Sequence, residues 1–385
     1  MTNHSSFRTH LTTLKLTGFR NYPTLSLTLD RRSVVLTGPN GAGKTNLLEA
    51  VSFLSPGRGL RRAALDEVAR RPGDGSWAVA ATLVNASGPV DLGTGLALEP
   101  NGPQSRRTIR VNHATARSSE ALLEHVRVVW LTPAMDGLFT GPAGDRRRFL
   151  DRAVLAIDRQ HGTRVNAFER AMRGRNRLLA EPRPDRAWLT AIETEMAELA
   201  VAIAAARREW ASLAAGVAAE NGADSAFPAA GIALDGMLER DLDGRTAAEV
   251  EDRYRAALAA ERSRDAAAGR TLSGPHRSDL RIRHRPKDAP AETCSTGEQK
   301  ALLIGLVLVQ ARLAATLSGE TPIVLLDEIA AHLDRTRREA LFEMLDILGC
   351  QTFMTGTDAE VFAPIGASVL SLAVDAGNIR PVGAS

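Results

Sequence analysis

Apolar and polar residues alternate through Leu14 and Leu16, and again through Leu25, Leu27 and Leu29. That two-residue period predicts an antiparallel pair with one buried and one solvated face. The pattern then changes to an unbroken apolar run, Ser33-Val34-Val35-Leu36-Thr37, which suits a parallel strand covered on both sides. Behind it Leu47, Leu48, Val51 and Leu54 fall at helical spacing. Residues 77–84, 92–98, 108–111 and 126–131 read as further strands, separated by Gly, Pro, Asn and Ser. From 146 to 179, and again from 186 to about 217, Ala, Leu, Arg and Glu recur with helical periodicity. Glu181-Pro182-Arg183-Pro184 ends the first of these runs. Another helix is expected over 247–263. No heptad persists long enough for a long coiled coil, so these helices predict a compact arm. After Thr271 strands and loops return, with an apolar helix over 301–317, a buried strand Ile323-Val324-Leu325-Leu326, a helix over 335–348 and a strand over 351–355. Residues 1–10 carry no pattern and are expected to be a disordered tail.

Length and charge add modestly to this picture. A chain of 385 residues supports two domains. The net charge is +3 and the pI about 9.2. Only Lys15, Lys44, Lys287 and Lys300 are lysines, so nearly every basic residue is arginine, which suits bidentate phosphate contacts but follows equally from a genome-wide composition bias. Aromatics make up 4%, which leaves few platforms for stacking single-stranded bases and points any nucleic-acid contact to the backbone. Cys294 and Cys350 make neither a ligand cluster nor a disulfide framework. The N-terminus lacks an apolar leader, and the one near candidate for a membrane span, 301–317, is broken by Gln310 and Arg312. The expectation is a soluble, cytoplasmic protein with no membrane partner.

The most informative stretch is Gly38-Pro39-Asn40-Gly41-Ala42-Gly43-Lys44-Thr45. Between a buried strand and a helix, this is the context of a phosphate-binding loop. Its glycines let backbone N–H groups converge on phosphate oxygens, Lys44 adds a charge toward the β- and γ-phosphates, and Thr45 offers a hydroxyl to Mg²⁺. Four apolar residues followed by Asp327-Glu328 make the Walker B pattern, whose strand delivers both carboxylates to its C-terminal end. Asp327 is expected to support Mg²⁺, and Glu328 to deprotonate the water that attacks the γ-phosphate. Ser295-Thr296-Gly297-Glu298-Gln299 opens a helix, where it reads either as an ordinary N-cap or as a phosphate contact.

That last segment resembles the signature motif of the ABC-type ATPase superfamily, and His332-Leu333-Asp334 resembles its D-loop. In such ATPases the signature of one subunit touches the γ-phosphate held by the other, which implies a dimer enclosing two ATPs. Thr355-Gly356-Thr357-Asp358 lacks the switch histidine of transport cassettes, and Lys44 and Ser295 stand further apart than in a compact cassette. The whole chain from about Leu14 resembles the RecF family of bacterial recombination-mediator ATPases. The likeness rests on Gly18-Phe19-Arg20-Asn21-Tyr22, the loop through Thr45-Asn46, Arg146-Arg147-Arg148-Phe149-Leu150-Asp151, Gly269 to Arg277, Ser295 to Glu298, and Thr355 to Thr357. It implies an α/β ABC-type ATPase head built from N- and C-terminal parts (1–144 and 269–385) around an inserted α-helical arm (145–268). It also implies ATP-dependent dimerisation, slow hydrolysis, sequence-independent binding of duplex or gapped DNA, and action with RecR and RecO to help load RecA in gap repair and the SOS response. Glu328, Lys44, Ser295, Asp334 and Thr355 would be catalytic; Gly38 to Asn46, Arg20, Asn21 and Gly297 would contact ATP; Thr45 and Asp327 would hold Mg²⁺. Ala134 and Ser278 stand where the family usually has an acidic residue.

Arg20 suits either a nucleotide phosphate or a surface carboxylate; Arg58, Arg61 and Arg62 flank glycines and read either as a solvated loop or as candidates for DNA phosphates, whereas Arg146 to Arg148 are expected to begin a helix and pair locally. Tyr22 fits either the core or an adenine-facing position, and His276-Arg277 is assigned a structural role at the junction of arm and head. Rival readings are a transport ATPase subunit, an SMC-like structural ATPase and an ATP-dependent nuclease; no second acidic cluster supports the last.

Overall fold

The computed structural model describes residues 6–97, 107–220, 225–329 and 333–382. Contact density divides the chain into one compact unit from 1–136 with 306–385, and another from 137–305. The division expected at 144/145 and 268/269 therefore differs from the contacts, which group 269–305, Ser295 included, with the helical unit.

In the first unit, β1 (His10–Phe19) and β2 (Tyr22–Thr28) pair antiparallel with Leu14 opposite Leu27 and Leu16 opposite Leu25. Leu14 and Leu16 are buried and Lys15 is exposed, as the period of two requires. β3 (Ser33–Thr37) leads through the glycine-rich loop into α1 (Lys44–Ser52). β4 (Trp77–Asn85), β5 (Gly88–Leu96), β6 (Arg107–Val111) and β7 (Ala114–Thr115) complete a six-stranded antiparallel sheet, while β8 (Val128–Leu131) joins a different one. In β4 Trp77, Val79, Ala81 and Leu83 all face the core. Residues 6–9 do not behave as a tail. The Phe7 N–H donates to the Gly319 carbonyl at 2.8 Å, the Phe7 carbonyl accepts from Thr321 at 2.9 Å, and the Thr9 N–H donates to Thr321 Oγ1 at 3.2 Å. Backbone pairing, which no side-chain period announces, holds this segment.

The second unit contains α2 (Ala143–Val154), α3 (His161–Leu179) and α4 (Arg186–Ala219). The helix expected without a break over 146–179 is interrupted because Asp158 accepts the Gln160 N–H at 2.9 Å and pairs with Arg164, a local turn that competes with the helix. β9 (Ala230–Asp235), α5 (Met237–Asp241), α6 (Ala247–Ala260) and α7 (Arg262–Ala268) follow. Thr246 and Glu249 form a capping box on α6, and Gly269 ends α7 in the left-handed region at φ 64. β10 (Asp279–His284) pairs with β9, Ile282 opposite Ile232, and with β11 (Ala289–Pro290). Phe168, Met196, Val201, Tyr254 and Leu258 form the core. Fully buried Arg175 crosses it, donating to Glu193 at 3.0 Å, Asp265 at 2.6 Å, Thr271 Oγ1 at 2.9 Å and the Leu258 carbonyl at 2.7 Å.

α8 (Thr296–Ser318) carries the chain back. By length and composition alone this helix could cross a membrane, but 78% of its most apolar 18-residue window is buried within the protein. It is a core helix. Then come β12 (Ile323–Leu326), α9 (Arg335–Ile347), β13 (Thr352–Gly356), β14 (Val369–Asp375) and β15 (Asn378–Pro381). The second sheet runs β15-β14-β3-β13-β12-β8, all parallel except the β14–β15 hairpin. Val34, Leu36, Leu325 and Phe353 share a core with Leu47, Leu48 and the antiparallel sheet, where Phe19, Phe53 and Trp77 pack edge to face or tilted with centroids 4.9 to 6.0 Å apart.

Candidate nucleotide-binding site

The glycine-rich loop leaves β3 at its C-terminal end and is gripped from two sides. A Cβ on Gly38 (φ 146) would stand 2.1 Å from the Val374 carbonyl oxygen of β14, and one on Gly43 (φ 117) 2.5 Å from Asn21 Nδ2. Asn21 Nδ2 donates to the Ala42 carbonyl at 3.0 Å, Tyr22 OH to the Gly43 carbonyl at 2.9 Å, and the Gly377 N–H to Ala42 at 3.0 Å. Asn46 donates to Asn21 Oδ1 at 2.7 Å. Tyr22 is thus a core residue, fully buried, with burial pushing its phenol above the usual range. The α1 N-terminus stands behind the loop, and its unpaired N–H groups suit an anion. Lys44 Nζ donates to the carbonyls of Gly38 at 2.6 Å and Pro39 at 2.9 Å. Burial lowers the pKa of this ammonium, against the pull of the Glu328 and Asp327 carboxylates.

β13 lies between β3 and β12, and this order brings four polar groups together. Thr45 Oγ1 of α1 and Thr355 Oγ1 of β13 each donate to Asp327 Oδ1 at 2.8 Å. The Thr355 hydroxyl also accepts the Glu328 N–H at 2.8 Å. Glu328 itself sits at φ 54, in the left-handed region. A hydroxyl and a carboxylate oxygen in contact are hard donors of the kind Mg²⁺ takes, with phosphate and water completing its shell. Among the described residues no cluster of three or more His, Cys, Asp or Glu forms a cage for a metal.

The arginines are placed less simply. Arg20, for which a phosphate and a carboxylate are both open, gives Nε and Nη2 to the two oxygens of Glu49 at 2.8 and 2.7 Å and Nη1 to the Glu67 carbonyl at 2.8 Å. Arg61 donates to the same Glu49 at 2.9 Å and to Asn46 at 2.5 Å. Fully buried Glu49 on α1 therefore collects both. Arg58, Arg61 and Arg62 are exposed, Arg62 at φ 58. Arg107 escaped notice in the sequence. Its guanidinium lies 5.2 Å from the Phe53 ring centroid and donates to Thr94 Oγ1 at 2.7 Å, to the Gly57 carbonyl at 2.6 Å and to the carbonyls of Phe53 and Ser55. It fixes the loop that follows α1. Burial lowers its pKa to about 10, so it stays charged at neutral pH.

In the second unit the Ser295 segment caps α8. The Ser295 N–H donates to Glu298 Oε2 at 3.1 Å, the Glu298 N–H to Ser295 Oγ at 3.4 Å, and Gly297 lies in the first turn. Arg146 donates locally to the Gly141 carbonyl at 2.7 Å but also forks onto distant Asp279 at 2.7 and 2.9 Å, while Arg148 pairs with Asp145 as expected. Ser278 donates to buried Glu239 at 2.8 Å, and His276 reaches the Thr271 carbonyl at 3.0 Å while stacking on Phe168. In the first unit Asp334 caps α9 through the Arg337 N–H at 2.9 Å. His332 lies outside the described residues.

The family model described as the RecF/RecN/SMC N terminal domain matches residues 10–377. The DNA replication and repair protein RecF of Mesorhizobium japonicum is 57% identical over 374 residues, 97% of this chain and 98% of that protein. The chain belongs to the RecF family. The RecF protein of Rhizobium meliloti is 58% identical over 369 residues, covering 96% of this chain and 98% of its own. A solved structure of the recombination mediator protein RecF-ATPrS in the RecFOR pathway has a TM-score of 0.85 at 20% identity, covering 99% of this chain and all of that one. The Smc head domain with an extended coiled coil from Pyrococcus furiosus has a TM-score of 0.52 at 15% identity, covering 97% and 96%. The fold is that of the RecF and SMC ATPase heads, an α/β ABC-type head.

Proposed function

We propose that this RecF-family chain is an ATP-dependent DNA-binding clamp of recombinational gap repair and replication restart, with a weak ATPase that releases it. The observation that carries the reading is the linked set Thr45, Asp327, Thr355 and Glu328 beside a complete phosphate loop. ATP would lie along the loop with Lys44 on its β- and γ-phosphates. Thr45 and Asp327 would hold Mg²⁺, which supplies positive charge to the phosphate oxygens. Glu328 would take the proton of the attacking water, and Thr355 keeps the Glu328 backbone in place. Ser295 and Gly297 of a second copy would close over the γ-phosphate, with Asp334 at the same junction, so hydrolysis would require a head-to-head homodimer. DNA contact is assigned to the backbone through Arg58, Arg61 and Arg62, and is independent of sequence. RecR, RecO and RecA are the expected pathway partners, the RecF relative's solved structure being described within the RecFOR pathway.

Sedimentation velocity tests this reading. The pure protein should sediment as a monomer without nucleotide and as a dimer with ATP and Mg²⁺. Duplex or gapped DNA should join only the ATP form, with affinity falling as salt rises. A monomer under all conditions, or DNA binding indifferent to nucleotide, would overturn it.

A further inference from the structure

Lys287 is one of only four lysines, and it ends the short turn Arg285–Lys287 ahead of β11. Its ammonium contacts Glu298 Oε1, while Glu298 Oε2 accepts the Ser295 N–H at 3.1 Å. Glu298 therefore links a lysine from a neighbouring turn to the backbone of Ser295. The Ser295 hydroxyl accepts the Glu298 N–H, which leaves its proton free to donate outward. The same capping box has a cost. It puts a carboxylate in the first turn of a helix whose N-terminus is to meet a triphosphate, and two like charges repel strongly where water is excluded. The Lys287 and Ser295 contacts hold the Glu298 carboxyl down at about 2, so the carboxylate is ionised throughout the working range.

We propose that Lys287 is a positioning residue for ATP hydrolysis: it neutralises Glu298 and holds it on the Ser295 N–H, so that the Ser295 segment can approach the γ-phosphate bound by a second copy. This inference rests on the role of Ser295 across the dimer. In the isolated subunit the Lys287 and Glu298 side chains are 54% and 23% exposed, and an ion pair so open to water adds little to stability. The effect of Lys287 therefore belongs to the closed dimer and not to the fold.

Lys287→Ala should leave the melting temperature and the ATP affinity of the isolated subunit unchanged, while weakening ATP-driven association and lowering kcat about tenfold or more, as for a charge pair that closure desolvates. Lys287→Arg should retain most of both. Glu298→Gln removes the charge that Lys287 answers, so adding Lys287→Ala to that background should cost little further. Normal association and turnover by Lys287→Ala would overturn the inference, as would equal losses with Glu298 intact and with Glu298→Gln already in place. A melting temperature lowered by Lys287→Ala would reduce the residue to a structural cap. Ser295→Arg, measured alongside, separates the two levels. If it associates and hydrolyses like the parent, the role of Ser295 across the dimer fails; if it is blocked while Lys287→Ala is normal, only the role of Lys287 fails.

Discussion

Glu328 is held at φ 54, a conformation that costs a non-glycine residue about 1–2 kcal/mol. The Thr355 hydroxyl accepts its N–H at 2.8 Å and in turn donates to Asp327 at 2.8 Å, so one side chain holds both acidic residues in register. Thr355→Val keeps the shape and leaves that N–H unpaired, a loss of about 1–3 kcal/mol in a buried setting. The expected result is a kcat lowered about 10- to 100-fold with ATP affinity little changed, read by steady-state kinetics beside nucleotide titration. Glu328→Gln should bind ATP and dimerise but hydrolyse about 10²- to 10⁴-fold more slowly. A normal rate in that variant would mean that Glu328 is not the base. The identities of these residues were legible because each ends a recognisable strand or loop. That Arg20 and Arg61 share one buried carboxylate was not. Both turn on Glu49, a charged residue inside a helix, and nothing in local spacing shows that a buried carboxylate will gather two arginines from separate loops.

At the scale of elements, α2 is tied through Asp151 to Arg207 of α4 at 2.8 and 3.0 Å and to buried His161 of α3 at 2.8 Å. Burial alone would raise the Asp151 carboxyl, but Arg207 and His161 outweigh it and hold the carboxyl below its ordinary value. A carboxyl depressed in the folded state contributes stability that is present above its unfolded pKa and is lost as pH falls through the folded one. The helical unit should therefore lose stability below the ordinary carboxylate range, near pH 4. Arg207→Met should cost roughly 3 kcal/mol at neutral pH, toward the lower end for a broken buried pair, and its deficit should narrow on acidification as the stranded carboxylate takes up a proton. Urea unfolding at pH 7 and pH 4 reads this; a deficit independent of pH would contradict it. The periodicity of α4, β3 and β12 was strong enough to place them closely. The break before α3 and the pairing of residues 6–9 were hidden, because a side chain capping a turn and a backbone bridge leave no apolar period.

For the whole molecule, the two compact units divide the chemistry between them. The phosphate loop, Asp327 and Glu328 belong to one, and Ser295 and Lys287 to the other. On the account proposed here, each ATP is completed by Ser295 of a second copy, and that is the claim on which clamp formation rests. Mixing two inactive variants tests it most directly. Lys44→Met lacks a triphosphate contact and should not bind ATP, whereas Ser295→Arg should bind ATP but block closure with a long side chain. In the mixed dimer, ATP on the Ser295→Arg subunit would face the intact Ser295 of the Lys44→Met subunit, so one composite site is whole. The account predicts that ATP-dependent association and hydrolysis, absent from each variant alone, return in the mixture. A mixture as inactive as its parts, with both proteins folded, would contradict it.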